Sequence, residues 1–248
     1  MQESVTFKKL KKRKINHLKI VIIFFVIAIF SAIIAIGFYL KKKQDSIFFQ
    51  QSFYFVYASK SKKSASLEKM QDKLKELGGA GKIYKKDEYY YLIINVYLSE
   101  ELAAQVASDN KAVYESAGVF EIKTKKLNRN SKNAIKNNES ALDYVKKLNK
   151  SIDEISGLQI KYLSSEISEN DLCSDILTMK FNFDDLNDGL KIGDDSEIKN
   201  LVNNYLNLNL MYYSSFFNTF FDSTKKVSVL CEFVVNLTLL KVDLFNNL

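Results

Sequence analysis

Residues 89–98 read YYYLIINVYL. Aromatic and β-branched side chains dominate the run and no glycine interrupts it, so it reads as a strand. Its alternation sorts the side chains onto two faces. Tyr90, Leu92, Ile94 and Val96 point one way, and Tyr89, Tyr91, Ile93, Asn95 and Tyr97 the other. The first set suits a core beneath helices, and the second leaves tyrosines on the opposite, open face. Just upstream, Lys86-Asp87-Glu88 forms a tight turn back to a short strand over 82–84. Downstream, Ser99 caps a helix whose first turn carries Glu100 and Glu101, where acids favour the helix dipole. Leu102, Val106 and Val113 form the buried face of that helix, Gly118 stops it, and 119–123 is a last strand.

Further upstream, FYFVYA over 53–58 is another aromatic strand, followed by the loop SKSKKSAS. Ser64 or Ser66 then caps a helix with Leu67, Met70, Leu74 and Leu77 at helical spacing, ended by Gly78-Gly79. The order over residues 52–125 is β-α-β-β-α-β. That is the split-βαβ, ferredoxin-like arrangement, a four-stranded antiparallel sheet with two helices on one face.

Residues 20–40, IVIIFFVIAIFSAIIAIGFYL, are free of charge. At about 1.5 Å per residue such a run spans a hydrocarbon core of roughly 30 Å. Lys8, Lys9, Lys11, Lys12, Arg13, Lys14 and Lys19 precede it, and Lys41, Lys42 and Lys43 follow. The heavier basic flank places residues 1–19 in the cytoplasm and the body outside, as a single-pass cell-membrane protein. A cleaved signal peptide fits less well, because its apolar region is about 7–15 residues long and ends in a small-x-small site. Residues 41–51 are a spacer.

The formal net charge of +7 is unevenly held. Residues 1–127 carry 23 Lys/Arg against 12 Asp/Glu, and residues 128–248 carry 13 against 17. The excess lies largely at the membrane flanks and does not point to a nucleic-acid partner.

Residues 126–138 are polar and basic, a linker or a frayed helix start. Residues 139–248 read as a helical bundle. Leu142, Val145, Leu148, Ile152 and Ile155 make a seam for partner helices within the bundle or for a coiled coil. A shorter helix covers 170–180 and FDDLNDGLKIGDD follows as a loop. Helices over 196–221 and 224–245 complete the chain. The first shows Ile198, Val202, Tyr205, Leu208, Tyr212 and Phe216. The second has Ser228, Glu232 and Asn236 on a four-residue rhythm. Glu232 argues against a second membrane span there.

The segment 52–125 resembles a SPOR domain, the peptidoglycan-binding module of bacterial division and sporulation proteins. The resemblance lies in the first strand FYFVYASKS, the helix SLEKMQDKLKELG, and YYYLIINVYLSEELAAQVAS, which looks like the third strand running into the second helix. An anchor followed by an extracytoplasmic SPOR domain is a common layout of that family. The resemblance implies a non-enzymatic envelope protein of cell division or sporulation that binds peptidoglycan glycan strands. Tyr89, Tyr91 and Tyr97 are the expected contacts, with Phe53, Phe55 and Tyr57 as neighbours. Tyrosine rings stack on sugars while their hydroxyls bond to sugar hydroxyls. The same rings also fit plain β-propensity under a cover of helices or of a partner protein. The alternative function is therefore an envelope scaffold that binds a divisome or other envelope protein and touches no glycan.

Catalytic chemistry is scarce. His17, in the basic tail, is the one histidine, so no Ser-His or Cys-His pair can form. No glycine-rich phosphate loop or zinc spacing occurs, and no cofactor or metal is expected. Asp184, Asp188, Gly189 and Asp195 match a calcium loop in part, but Leu186 stands at its third position. Cys173 and Cys231 read as two buried thiols more readily than as a disulfide.

Overall fold

Strand β1, Ser52–Ser61, is the hub of a four-stranded antiparallel sheet. The computed structural model describes Phe48, residues 50–190 and residues 197–248. Helix α1 (Ala65–Glu76), β2 (Lys82–Lys86), β3 (Tyr89–Tyr97), α2 (Glu100–Asn110) and β4 (Gly118–Lys123) follow β1. The strand order is β2-β3-β1-β4. Five helices complete the chain: α3 (Arg129–Lys136), α4 (Glu139–Leu163), α5 (Glu169–Leu190), α6 (Glu197–Phe220) and α7 (Lys226–Asn247). The protein is thus α+β, with seven helices among the described residues, and Phe48–Leu248 form one compact unit. The expected span over 20–40, with the basic tail and His17, lies outside the described residues. Among the described residues no helix is long and apolar enough to cross a membrane.

The β3 alternation sets the first core. Leu92 and Ile94, with Val56 and Ala58 from β1, pack on Leu67 and Leu74 of α1 and Ala103 and Ala107 of α2. Gly78, at φ 86, turns the chain out of α1 where a side chain is strained. Ser99 caps α2, its hydroxyl accepting from the Leu102 N–H at 3.3 Å. The inward face of α2 is alanine, and Val113 falls beyond the helix end, 57% exposed.

The opposite face of the sheet is not open. Helix α7 lies across β3, and Phe53, Phe55, Ile93 and Asn95 are buried beneath the C-terminal helices and neighbouring rings. The expectation of a sheet covered on one side only is therefore corrected. Helix α7 is apolar around most of its circumference, with Leu230, Phe233, Val234, Val235, Leu237 and Leu240 all buried. A helix apolar on all sides needs neighbours on all sides. It takes the sheet on one flank and α4 and α6 on the others.

Within the bundle, the seam Leu142, Val145, Leu148, Ile152 and Ile155 is buried inside the chain. Part of the expected linker is α3, capped by Asn128, whose side chain accepts from the Ser131 N–H at 2.9 Å. The expected loop after residue 180 is helical through Leu190. Its apolar stripe Leu172, Ile176, Met179, Phe183 and Leu186 keeps helical spacing, so the acidic residues between are the solvent side of the helix. Asp184 pairs with Lys180 at 2.7 Å, one turn away on that helix. In α6 the inward row runs Val202, Leu206, Asn209, Tyr213, Phe216 and Phe220, leaving Leu208 40% exposed.

Candidate functional site

The concave face of the sheet collects aromatic rings from all four strands. The Asp87-Glu88 turn sets the hairpin register Lys86↔Tyr89 and Tyr84↔Tyr91. Directly opposed residues of an antiparallel pair share a face, so Tyr84 joins Tyr91. In the same way Phe120 of β4 opposes Phe55 of β1. The sheet curls until the two edge strands meet, with the Tyr84 and Phe120 ring centres 6.2 Å apart. Phe120 stands 5.4 Å from Phe55 and 4.6 Å from Tyr91. Tyr57 meets the Tyr91 ring edge-on at 5.1 Å. Lys86 closes the curl: its ammonium lies 5.0 Å from the Phe120 ring centre and donates to the Glu121 carbonyl at 2.8 Å.

Tyr57, Tyr84, Tyr91 and Phe120 are each partly exposed over the buried Phe55. Tyr89, at the margin, has Lys60 at 5.4 Å and Lys62 at 5.7 Å from its ring centre. Those cations sit where the negative potential of the ring attracts them. Gly118 makes room for the phenol: a Cβ there would stand 2.6 Å from the Tyr57 hydroxyl.

The sequence-derived residues divide into three groups. Tyr57 and Tyr91 meet, with Tyr89 at the margin on the same face. Phe53 and Phe55 have no exposed surface, so neither can touch a ligand, because α7 and the neighbouring rings occupy that space. Tyr97, expected on this face, packs instead with Tyr54 on the core beneath α1 and α2, and burial pushes its phenol up to about 12. Tyr84, Phe120 and Lys86 are additional members. The two-residue turn carried the signal for Tyr84. Phe120 depends on a pairing reached through α2, which no local pattern reveals.

Two polar networks hold the helices on this face. Gln159 of α4 donates to the Asn95 side-chain oxygen at 3.1 Å and to the Cys231 sulfur at 3.3 Å. Burial drives the Cys231 thiol up to about 12. At the start of β1, the buried Lys241 ammonium bonds the Gln51 side-chain oxygen and lies 5.4 Å from the Phe53 ring centre. Desolvation pulls Lys241 down to about 8, against the pull of Asp153. Cys173 and Cys231 are buried free thiols. Among the described residues no group of three or more His, Cys, Asp or Glu is placed to hold a metal ion.

Comparison with protein-family models, curated proteins and solved structures finds no match.

Proposed function

We propose that the chain is a non-enzymatic, membrane-anchored envelope protein whose curled aromatic face takes peptidoglycan glycan strands. This is the reading that the SPOR-like resemblance implies. The observation that supports it is the row of partly exposed rings, Tyr57, Tyr84, Tyr91 and Phe120, on a face whose other positions are covered. Sugar rings carry axial C–H groups that pack on aromatic surface, and phenol hydroxyls bond their hydroxyls. Lys60 and Lys62 beside Tyr89 suit the carboxylates of the peptides that glycan strands carry.

A second reading has its own observation. Leu177 and Phe181 of α5, and Leu208 and Met211 of α6, are apolar and exposed on the outer helices. They favour an envelope scaffold that binds protein and no glycan.

Co-sedimentation of the full chain with purified sacculi separates the two. The glycan reading expects the chain in the pellet, with retention reduced about tenfold in Tyr91→Ala, the loss of about 1.4 kcal/mol. Circular dichroism checks that the variant is folded. A folded wild-type chain that stays in the supernatant removes the glycan reading and leaves the scaffold.

A further inference from the structure

We propose that the end of the body bearing α3 docks on anionic lipid headgroups. The proposal rests on the membrane-anchor reading of residues 20–40. From Ile122 to Asn138 the chain holds Lys123, Lys125, Lys126, Arg129, Lys132 and Lys136 and no acidic residue. Lys123 is engaged by Glu121 at 3.0 Å. Of the other five, which follow the end of β4, Lys125 donates to the Asn246 carbonyl at 3.3 Å and three are on α3, where Lys136 is engaged as well. Arg129, Lys132 and Lys136 lie at i, i+3 and i+7, hence on one side of that helix, while Ile135 is fully buried. The short helix is thus amphipathic: Arg129 is exposed, while Lys132 and Lys136 are half-buried along the border of its apolar side.

The second observation is where the chain enters the fold. Phe48 is buried, and the Lys136 ammonium lies 5.6 Å from its ring centre. Three residues on, the Gln51 N–H donates to the Thr124 hydroxyl at 2.9 Å, and the Thr124 N–H returns to the Gln51 carbonyl at 2.9 Å. The entry point and the basic segment are therefore tied together. Only seven residues, 41–47, separate the apolar run from Phe48. The eight steps from Leu40 to Phe48, at about 3.6 Å each, reach no further than about 29 Å. On the anchor reading, so short a reach keeps the entry end of the body close to the bilayer. A basic surface held this close to anionic lipid gains attraction from each cation within a screening length of about 8 Å. Docking would fix the tilt of the body and present the aromatic face at a constant height.

The test uses the full chain reconstituted in vesicles of phosphatidylcholine alone, or with about one third phosphatidylglycerol. A fluorophore is placed at Asn130→Cys on exposed α3, and in a second preparation at Glu166→Cys, beyond the far end of α4. Nitroxide-headgroup lipid quenches whatever lies at the surface. The proposal expects at least twofold stronger quenching at position 130 in the anionic vesicles and no lipid dependence at 166. The difference should vanish at about 1 M salt, where the screening length is about 3 Å. It should also vanish in Lys125→Glu/Lys126→Glu/Arg129→Glu. Equal quenching at 130 in both vesicle types, in a chain that survives an alkaline wash, overturns the docking and leaves the anchor standing. A chain that the wash strips from the vesicles overturns the anchor and the docking together.

Discussion

Lys241 is an ionisable group whose buried position has a measurable consequence. Its ammonium has exchanged water for one side-chain oxygen and the face of Phe53, which leaves it at about 8 rather than the ordinary 10.5. Between those values the unfolded chain holds the proton that the folded chain has released, so stability rises with pH across the window. Below it both states are protonated and the full penalty is present. Cys231 acts the other way. Its folded thiol is held up to about 12 against an ordinary 9.0, so above pH 9 the folded state keeps a proton that the unfolded chain sheds, and stability falls. The unfolding free energy from urea titration should therefore rise from pH 8 to 9, by about 1 kcal/mol, and flatten beyond. Lys241→Met should abolish the rise and stabilise the fold at pH 7 by about 1–2 kcal/mol. An unchanged pH profile in that variant would mean that the amine reaches water. Gly118 is a second single-residue test. Gly118→Ala drives a methyl into the Tyr57 phenol, and should cost about 1–2 kcal/mol by overpacking. It should also change near-ultraviolet circular dichroism, because it moves a ring within an aromatic cluster.

The elements differ in how much of each was legible. The βαββαβ order could be read because its signals are local: alternation in β3, the Asp87-Glu88 turn, the Ser99 cap, the Gly78-Gly79 stop. The face of β3 beneath α1 and α2 was legible for Tyr90, Leu92 and Ile94, but at the end of the strand Tyr97, not Val96, packs on that core, with Val96 opposite Phe55. Helix α5 was cut short because Asp184, Asp185, Asn187, Asp188 and Gly189 are residues that favour turns. Phe183 and Leu186 continue the stripe through them, and tertiary burial outweighs the weak local preference. The contrast can be measured. Leu186→Ala should cost about 2 kcal/mol as a helix-core truncation, while Asp185→Ala, on the exposed side, should stay within about 0.5 kcal/mol. Calcium should leave the thermal midpoint unmoved, since a helix does not wrap its carboxylates around an ion. Equal and small effects of both substitutions would return the segment to a loop.

At the scale of the whole molecule, the covering of the second sheet face decides what the protein can present. That covering was not legible from β3, whose odd-numbered side chains fit an open aromatic platform and a packed face equally well. The signal lay 130 residues away, in an α7 sequence apolar on nearly every side, which reads as a bundle helix until the sheet is seen to be one of its neighbours. The consequence is cooperative folding. A chain cut after residue 125 keeps every strand and both helices of the βαββαβ unit, yet loses α7, uncovers Phe53, Phe55, Ile93 and Asn95 and strips Asn95 of Gln159. Each large apolar side chain so exposed forfeits about 1.5–3 kcal/mol, and three of them together match most of the 5–15 kcal/mol by which a domain is stable. Residues 1–125 should therefore lose near-ultraviolet ellipticity, bind a hydrophobic dye and exchange the β3 amides within minutes, while the full chain protects them. A fragment that protects β3 as well as the full chain does would show the sheet to be an independent domain. The open aromatic platform would then be available once the helices swing away, and Phe53 and Phe55 would return as ligand contacts.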